Sequence, residues 1–248
     1  MTTNAGPYDQ DYFSSGPYAQ VSFRKYRKYW WSNRFYAKIV LRYGAPTGRA
    51  LEVGCGLGHL LARLSSRYET YGVDVNSWAL ERAKEIAPGA RLALASAEDL
   101  SAIGSGMMDV VVAKHVVEHL SNPGRGLAEF SRVLKERGLL LLATPNMDSP
   151  MRTRKGDAWV GYRDPTHISL LTPGEWLRLL ESQALRVTKV VSDGFWDAPY
   201  VRWLPTAVQK ILWGLPGGIQ ALAGYPFLPL RWGESMIILA MKATNAEQ

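Results

Sequence analysis

Short β-branched apolar runs alternating with helical patterns from residue 49 onward predict a doubly wound α/β fold. Two local observations support it: a glycine-rich turn closes the first apolar run, and an acidic residue ends the second. Composition agrees. Of 248 residues, 47% are apolar and 21% charged, which excludes a disordered or collagenous chain and favours one large domain with additions. The single cysteine, Cys55, excludes an intramolecular disulfide and a cysteine-built zinc site.

The strands follow in order: Ala50–Val53, Thr70–Asp74, Arg91–Ala95, Met108–Lys114, Leu139–Thr144, Leu185–Ser192 and Ser235–Lys242. Helices are expected at His59–Ser66, Ser77–Ile86 and Gly126–Leu134. Another starts at Thr172, with Pro173 at its first position and Glu175 closing a capping box, and runs to about Gln183. The chain divides accordingly into a basic-aromatic helical lid (1–48), an α/β core (49–192) with an acceptor loop (145–171), an apolar cap (193–234), and a last strand with a polar tail (235–248).

Charge concentrates at one end. The net charge is +7, and residues 1–45 hold Arg24, Lys25, Arg27, Lys28, Arg34, Lys38 and Arg42 against Asp9 and Asp11. Tyr26, Trp30 and other aromatic residues interleave with these cations. Such a helix can bind phosphates and stack on bases or sugars, or it can pack its rings on the core while its cations stay solvated. Packing is the preferred reading, so nucleic acid is not the expected partner. The N-terminus lacks the basic-then-apolar layout of a secretory signal, and an intracellular, cytoplasmic protein is expected.

The strongest chemical signal is Leu51-Glu52-Val53-Gly54-Cys55-Gly56-Leu57-Gly58, where a strand turns into a helix. Glycines let the chain turn tightly and let a ligand approach the backbone over a helix N-terminus. Asp74, at the end of the second strand, can accept from both ribose hydroxyls of an adenosine-type cofactor. The spacing Gly-x-Gly-x-Gly differs from the Gly-x-Gly-x-x-Gly of dinucleotide sites, which disfavours a dehydrogenase.

This loop resembles the first motif of the class I S-adenosylmethionine-dependent methyltransferases, of the small-molecule and glycan type. Tyr71-Gly72-Val73-Asp74 resembles the second motif and Ala97-Glu98-Asp99-Leu100 the third. Asp109 to Leu120 and Arg132 to Ala143 resemble the segments around strands four and five. The resemblance implies a Rossmann-like seven-stranded sheet with the last strand antiparallel, and S-adenosyl-L-methionine as cofactor. It places Glu52, Gly54, Cys55, Gly56, Gly58, Asp74, Val75, Ser96, Ala97, Glu98 and Lys114 at that cofactor. Ser96 stands where many relatives carry Asp, so the adenine amine meets a weaker acceptor, or Glu98 takes over.

His115 and His119 also match the His-x-x-Glu-His pattern of certain zinc peptidases. That pattern needs a helix, whereas Val110, Val111 and Val112 favour a strand ending at His115. No metal site is therefore expected, and His115 should face the crevice at the strand's end. His167, in the loop before the capped helix, is the second candidate base, since imidazole titrates near neutrality. Alternatively, His167 and Asp164 brace that loop.

Residues 211–230 carry no charge, long enough to span a bilayer, but Pro216, Pro226 and Pro229 interrupt them. Two short apolar helical pieces are expected instead, forming a lid, a homodimer face or a peripheral membrane anchor at the inner face of the membrane. Tyr26, Trp30, Trp159, Tyr162, Arg163 and Trp203 are the expected acceptor contacts, with Trp213 close by. The expected function is O-methylation of a small-molecule, lipid or glycan acceptor. The rivals are a nucleic-acid methyltransferase and a cofactor-binding module without turnover.

Overall fold

A computed structural model of the protein describes residues 22–244; the rest of the N-terminal stretch and the end of the polar tail lie outside them. Helix α1 (Lys28–Tyr43) precedes strand β1 (Gly48–Val53), the short helix α2 (Leu61–Leu64) and β2 (Tyr68–Asp74). Helix α3 (Ser77–Ile86), β3 (Arg91–Leu94), β4 (Met108–Lys114), α4 (Pro123–Val133) and β5 (Leu134–Pro145) follow. Helix α5 (Pro150–Lys155), α6 (Pro173–Glu181), β6 (Leu185–Ser192), α7 (Thr206–Ala223) and β7 (Ser235–Lys242) complete the chain. The strand order is β3-β2-β1-β4-β5-β7-β6, with β7 antiparallel to both neighbours and every other pairing parallel. The seven-stranded expectation holds.

Caps fix where the helices begin. The Asn76 side chain accepts from the Ala79 amide ahead of α3, and Asn122 accepts from Arg125 ahead of α4. At α6 the capping box forms, with the Thr172 amide donating to Glu175 at 2.7 Å. Each such cap satisfies amides a helix start leaves open, worth about 1 kcal/mol.

Both faces of the sheet are covered. Phe35, Tyr36, Ile39 and Val40 of α1 pack with Ala50, Val110, Leu141 and Leu239 on one side. Phe130 of α4 and Trp176 of α6 pack with Val111, Leu140 and Ile238 on the other. Because the central strands are covered twice, they read as continuous apolar runs.

Strands β1 and β2 and helix α4 start two or three residues earlier than expected, and three differences are larger. Strand β5 begins at Leu134, not Leu139, because Leu134 pairs with Met108 across an irregularity in β4. Helix α2 is confined to Leu61–Leu64, since turns carry the chain through the preceding residues. The cap contains one 18-residue helix, α7, in place of two short pieces, with Pro216 inside it and Gly224 ending it in the left-handed conformation. Pro216 cannot donate to the Leu212 carbonyl. Leu212 is exposed, so water can satisfy that carbonyl and the helix continues.

Candidate functional site

At the C-terminal ends of β1, β2 and β4 lies a cavity of about 1420 Å³. Gly54 and Gly56 turn the chain with φ of 65° and 51°, a region open to glycine at no steric cost. A Cβ at Gly54 would lie 2.4 Å from Val116. The Asp74 carboxylate accepts from the Gly56 amide at 2.8 Å and the Asn76 amide at 2.9 Å, tying the glycine loop to β2. Burial raises the pKa of this carboxyl against those backbone bonds.

Most expected cofactor residues line this cavity: Glu52, Gly54, Cys55, Gly56, Asp74, Val75, Ser96, Ala97, Glu98 and Lys114. Gly58 does not. Its φ is 76° and a Cβ there would sit 3.0 Å from Ala83, so it lets α3 pack closely. Ser96 Oγ accepts from the Glu98 amide, and the Glu98 carboxylate accepts from Ser121 Oγ and the Asn122 amide. Glu98 thus also braces the loop after β4.

Glu52 and Lys114 form a buried, oppositely charged couple. Burial pushes the Glu52 carboxyl up and the Lys114 ammonium down, and each charge opposes the other's shift. Lys114 Nζ donates to Asn33 of α1 at 2.8 Å, while Glu52 Oε2 is buried with no partner among the described residues. An unpaired buried carboxylate oxygen lining a cavity fits a cationic ligand group, such as the ammonium of an amino-acid-bearing cofactor. With the glycine turn and Asp74, the residues present fit S-adenosylmethionine.

His115, the residue after β4, has φ of 54°, an uncommon conformation for a non-glycine residue that costs about 1–2 kcal/mol. Its Nδ1 lies 3.1 Å from Glu118 Oε1. A carboxylate there selects the Nδ1–H tautomer and leaves the Nε2 lone pair to accept a proton. Burial raises the Glu118 pKa, but the hydrogen bond and the His115 and His119 charges outweigh it and hold the carboxyl low. His167 is fixed likewise, with Nδ1 donating to the Gly161 carbonyl at 2.7 Å. Both histidines line the cavity.

His115 and His119 do not share a helix, in line with the strand-and-loop reading: His115 directly follows β4 and His119 closes a short 3₁₀ turn. Instead the His119 and His167 rings lie 4.7 Å apart. Glu118, His119 and His167 offer one ligand atom each within 4.8 Å of one another and could hold a metal ion, which sequence reading did not foresee. Asp164 accepts from the Thr166 amide and hydroxyl, so it braces this loop while also lining the cavity.

Among the expected acceptor contacts, Arg163 alone lines the cavity, beside Asp197 with which it pairs at 2.8 Å. Trp159 is fully buried and donates to Glu234 at 2.5 Å, and Tyr162 packs edge-on against it. Trp30 borders a smaller adjoining pocket under Arg63. Tyr26 and Trp203 are 64% and 82% exposed and lie outside the cavity, and Trp213 packs against Tyr200. The outer walls instead come from Tyr29, Trp31 and Phe35 of the N-terminal region and Trp196 and Leu222 of the cap, with Asp193 among them. Asp193 was missed because a lone acid in an irregular segment carries no periodic signal. Its carboxyl is pushed up to about 6 by burial.

Residues 23–190 match the sequence model of a methyltransferase domain. The chain is 33% identical over 147 residues to a ubiquinone biosynthesis O-methyltransferase of Caulobacter sp. (strain K31), covering 56% of each chain. It is 32% identical over 124 residues to a probable S-adenosylmethionine-dependent methyltransferase of Mycobacterium tuberculosis, covering 48% of this chain and 43% of that one. The chain thus spans about half the length of the curated relatives it matches. Among solved structures, the YcgJ protein of Bacillus subtilis superposes with a TM-score of 0.60 at 18% identity, over 86% of this chain and all of that one. A methyltransferase of Archaeoglobus fulgidus gives 0.58 at 22%, over 87% of this chain. At such identities the likeness is one of fold.

Proposed function

Because the chain belongs to the S-adenosylmethionine-dependent methyltransferases, we propose that it methylates an oxygen of a small apolar acceptor, a lipid or lipid-linked glycan included. The observation that carries this reading is His115, backed by the buried Glu118, facing the same cavity as the glycine loop and Asp74. The cofactor, when bound, supplies an electrophilic sulfonium methyl group. The chain's residues supply placement and a proton acceptor.

Asp74 and the glycine-loop amides would hold the ribose and fix the depth of the cofactor. Glu52 Oε2 would receive the ammonium, and Ser96, Ala97 and Glu98, which line the cavity, would border the adenine. His115 Nε2 would take the hydroxyl proton as the oxygen–methyl bond forms and the sulfur–methyl bond breaks, with Glu118 stabilising the imidazolium. Tyr29, Trp31, Phe35 and Trp196 would exclude water and align the acceptor, the larger part of what methyl transfer needs. A hydrophobic acceptor agrees with these walls and with the O-methyltransferase relatives.

We read the protein as cytoplasmic; no helix among the described residues is long and apolar enough to cross a membrane. The apolar cap leaves either a membrane surface or a second copy of the chain as its partner. Incubation with methyl-labelled cofactor and a host lipid extract tests the activity. Label should enter an organic-soluble product through oxygen; label only on nitrogen would overturn the oxygen assignment.

A further inference from the structure

Helix α7 is built the wrong way round for a water-facing surface. Its buried side carries Gln209 and Gln220, whose amides satisfy the irregular chain around them. Gln209 accepts from the Tyr200 and Val201 amides and donates to the Val201 and Leu204 carbonyls. Gln220 donates to the Ser192 carbonyl and accepts from the Phe227 and Leu228 amides. The outer side carries Ile211, Leu212, Leu215, Ile219 and Leu222, each 50–65% exposed and spaced as one stripe. Trp203, just before the helix, is 82% exposed. A soluble helix shows the opposite arrangement.

The surroundings identify the occupant. Residues 198–233 and 12–51 contain no Asp or Glu at all. Helix α1 lies alongside α7, with Arg34 Nη1 and Lys38 Nζ donating to the Ala221 and Leu222 carbonyls at 3.2 and 2.9 Å. Arg42 sits over the ring of Tyr225 just beyond α7. Lys210 and Arg202 are exposed at the other end, and Arg231, also exposed, lies late in the cap. An apolar stripe with a purely cationic rim is complementary to an anionic bilayer surface: the stripe enters the acyl boundary and the cations meet headgroup phosphates. A second copy would instead bring two cationic rims together.

We propose that the outer face of α7 docks the protein on an anionic membrane surface, with the seam between α1 and α7 turned toward the lipid. The inference rests on the apolar-acceptor reading in one respect, the use of that seam. Leu222 belongs both to the exposed stripe and to the cavity wall, which Trp31, Phe35 and Ala221 also line. An acceptor dissolved in the bilayer can therefore enter the cavity without crossing water.

Vesicle flotation tests the docking independently of turnover. The full chain should float with vesicles of 70% phosphatidylcholine and 30% phosphatidylglycerol, at least about tenfold more than with phosphatidylcholine alone, and 0.5 M salt should weaken this. The triple variant Ile211→Ser, Leu212→Ser, Leu215→Ser should lose about tenfold or more of the binding while keeping its affinity for S-adenosylhomocysteine, which certifies the fold. Lys210→Glu with Arg202→Glu, which removes no apolar side chain, should weaken binding to anionic vesicles alone. If wild type stays with the unfloated fraction, or the triple variant floats as well as wild type, the proposal fails. It also fails if light scattering shows a dimer that the triple variant converts to monomer. Retained methyl transfer to a lipid extract with no flotation would sink the docking and leave the acceptor reading standing.

Discussion

Replacing Asp74 by Ala separates cofactor recognition from folding. The carboxylate already accepts from the Gly56 and Asn76 amides at 2.8 and 2.9 Å. A carboxylate has about four acceptor sites, so roughly two remain for ribose hydroxyls. Charge-assisted hydrogen bonds contribute about 1.5–3 kcal/mol each, and water recovers part of that in the variant. The expected net loss is about 2–4 kcal/mol, or roughly 30- to 1,000-fold in Kd. The two loop amides also lose their acceptor. Gly56 borders the cavity, where water can reach its amide, but Asn76 is buried, so the stability cost should be about 1–3 kcal/mol. Titration calorimetry with S-adenosylhomocysteine reads the first quantity and thermal melting the second. A folded Asp74→Ala protein with wild-type affinity would refute the assignment of this cavity end to the ribose.

His115→Ala should lower kcat about 100- to 10,000-fold with cofactor affinity unchanged, and Glu118→Gln should act in the same direction more weakly; wild-type turnover of His115→Ala would move the base to His167. Gly58→Val should lower Tm, because a side chain at φ of 76° also presses on Ala83, yet the folded fraction should bind cofactor normally. Gly56→Val, inside the cavity, should instead abolish cofactor binding, and equal affinities for the two variants would contradict their separation. Asp193, raised to about 6 by burial, holds its proton more tightly folded than unfolded. Between about pH 4 and 6 the folded state therefore binds more protons, and this group lowers stability as pH rises through that window. Asp193→Asn should raise Tm relative to wild type above pH 6, with the difference vanishing near pH 4; a difference constant across that range would show that ionisation of Asp193 is not the cause.

The parts of this site legible in sequence are those set by local rules. The glycine turn, Asp74 at the next strand end and His115 after a valine run all follow from strand period and turn chemistry. Thr172, Pro173 and Glu175 state their helix start openly, and the capping box forms. The rest depends on tertiary placement. His119 meets His167 across 48 positions, through a loop held by the Thr166 hydroxyl and carbonyl. Trp159 resembles an acceptor contact by residue type, yet it is fully buried on Glu234, because the loop after β5 folds back under the cap. Pro216 signals a break and stands inside a helix, since its orphaned carbonyl partner lies at an exposed residue. The aromatic walls from Tyr29, Trp31 and Trp196 become visible only when α1 and the cap close over the sheet.

The most direct test of methyl transfer in this cavity is mass spectrometry of host lipids after incubation with trideuteromethyl-labelled S-adenosylmethionine and the protein, wild type beside Asp74→Ala and His115→Ala. The account predicts an organic-soluble product carrying the intact labelled methyl on oxygen, with formation depressed in both variants. A labelled product formed equally by all three proteins, or label found only in nucleic acid, would contradict it.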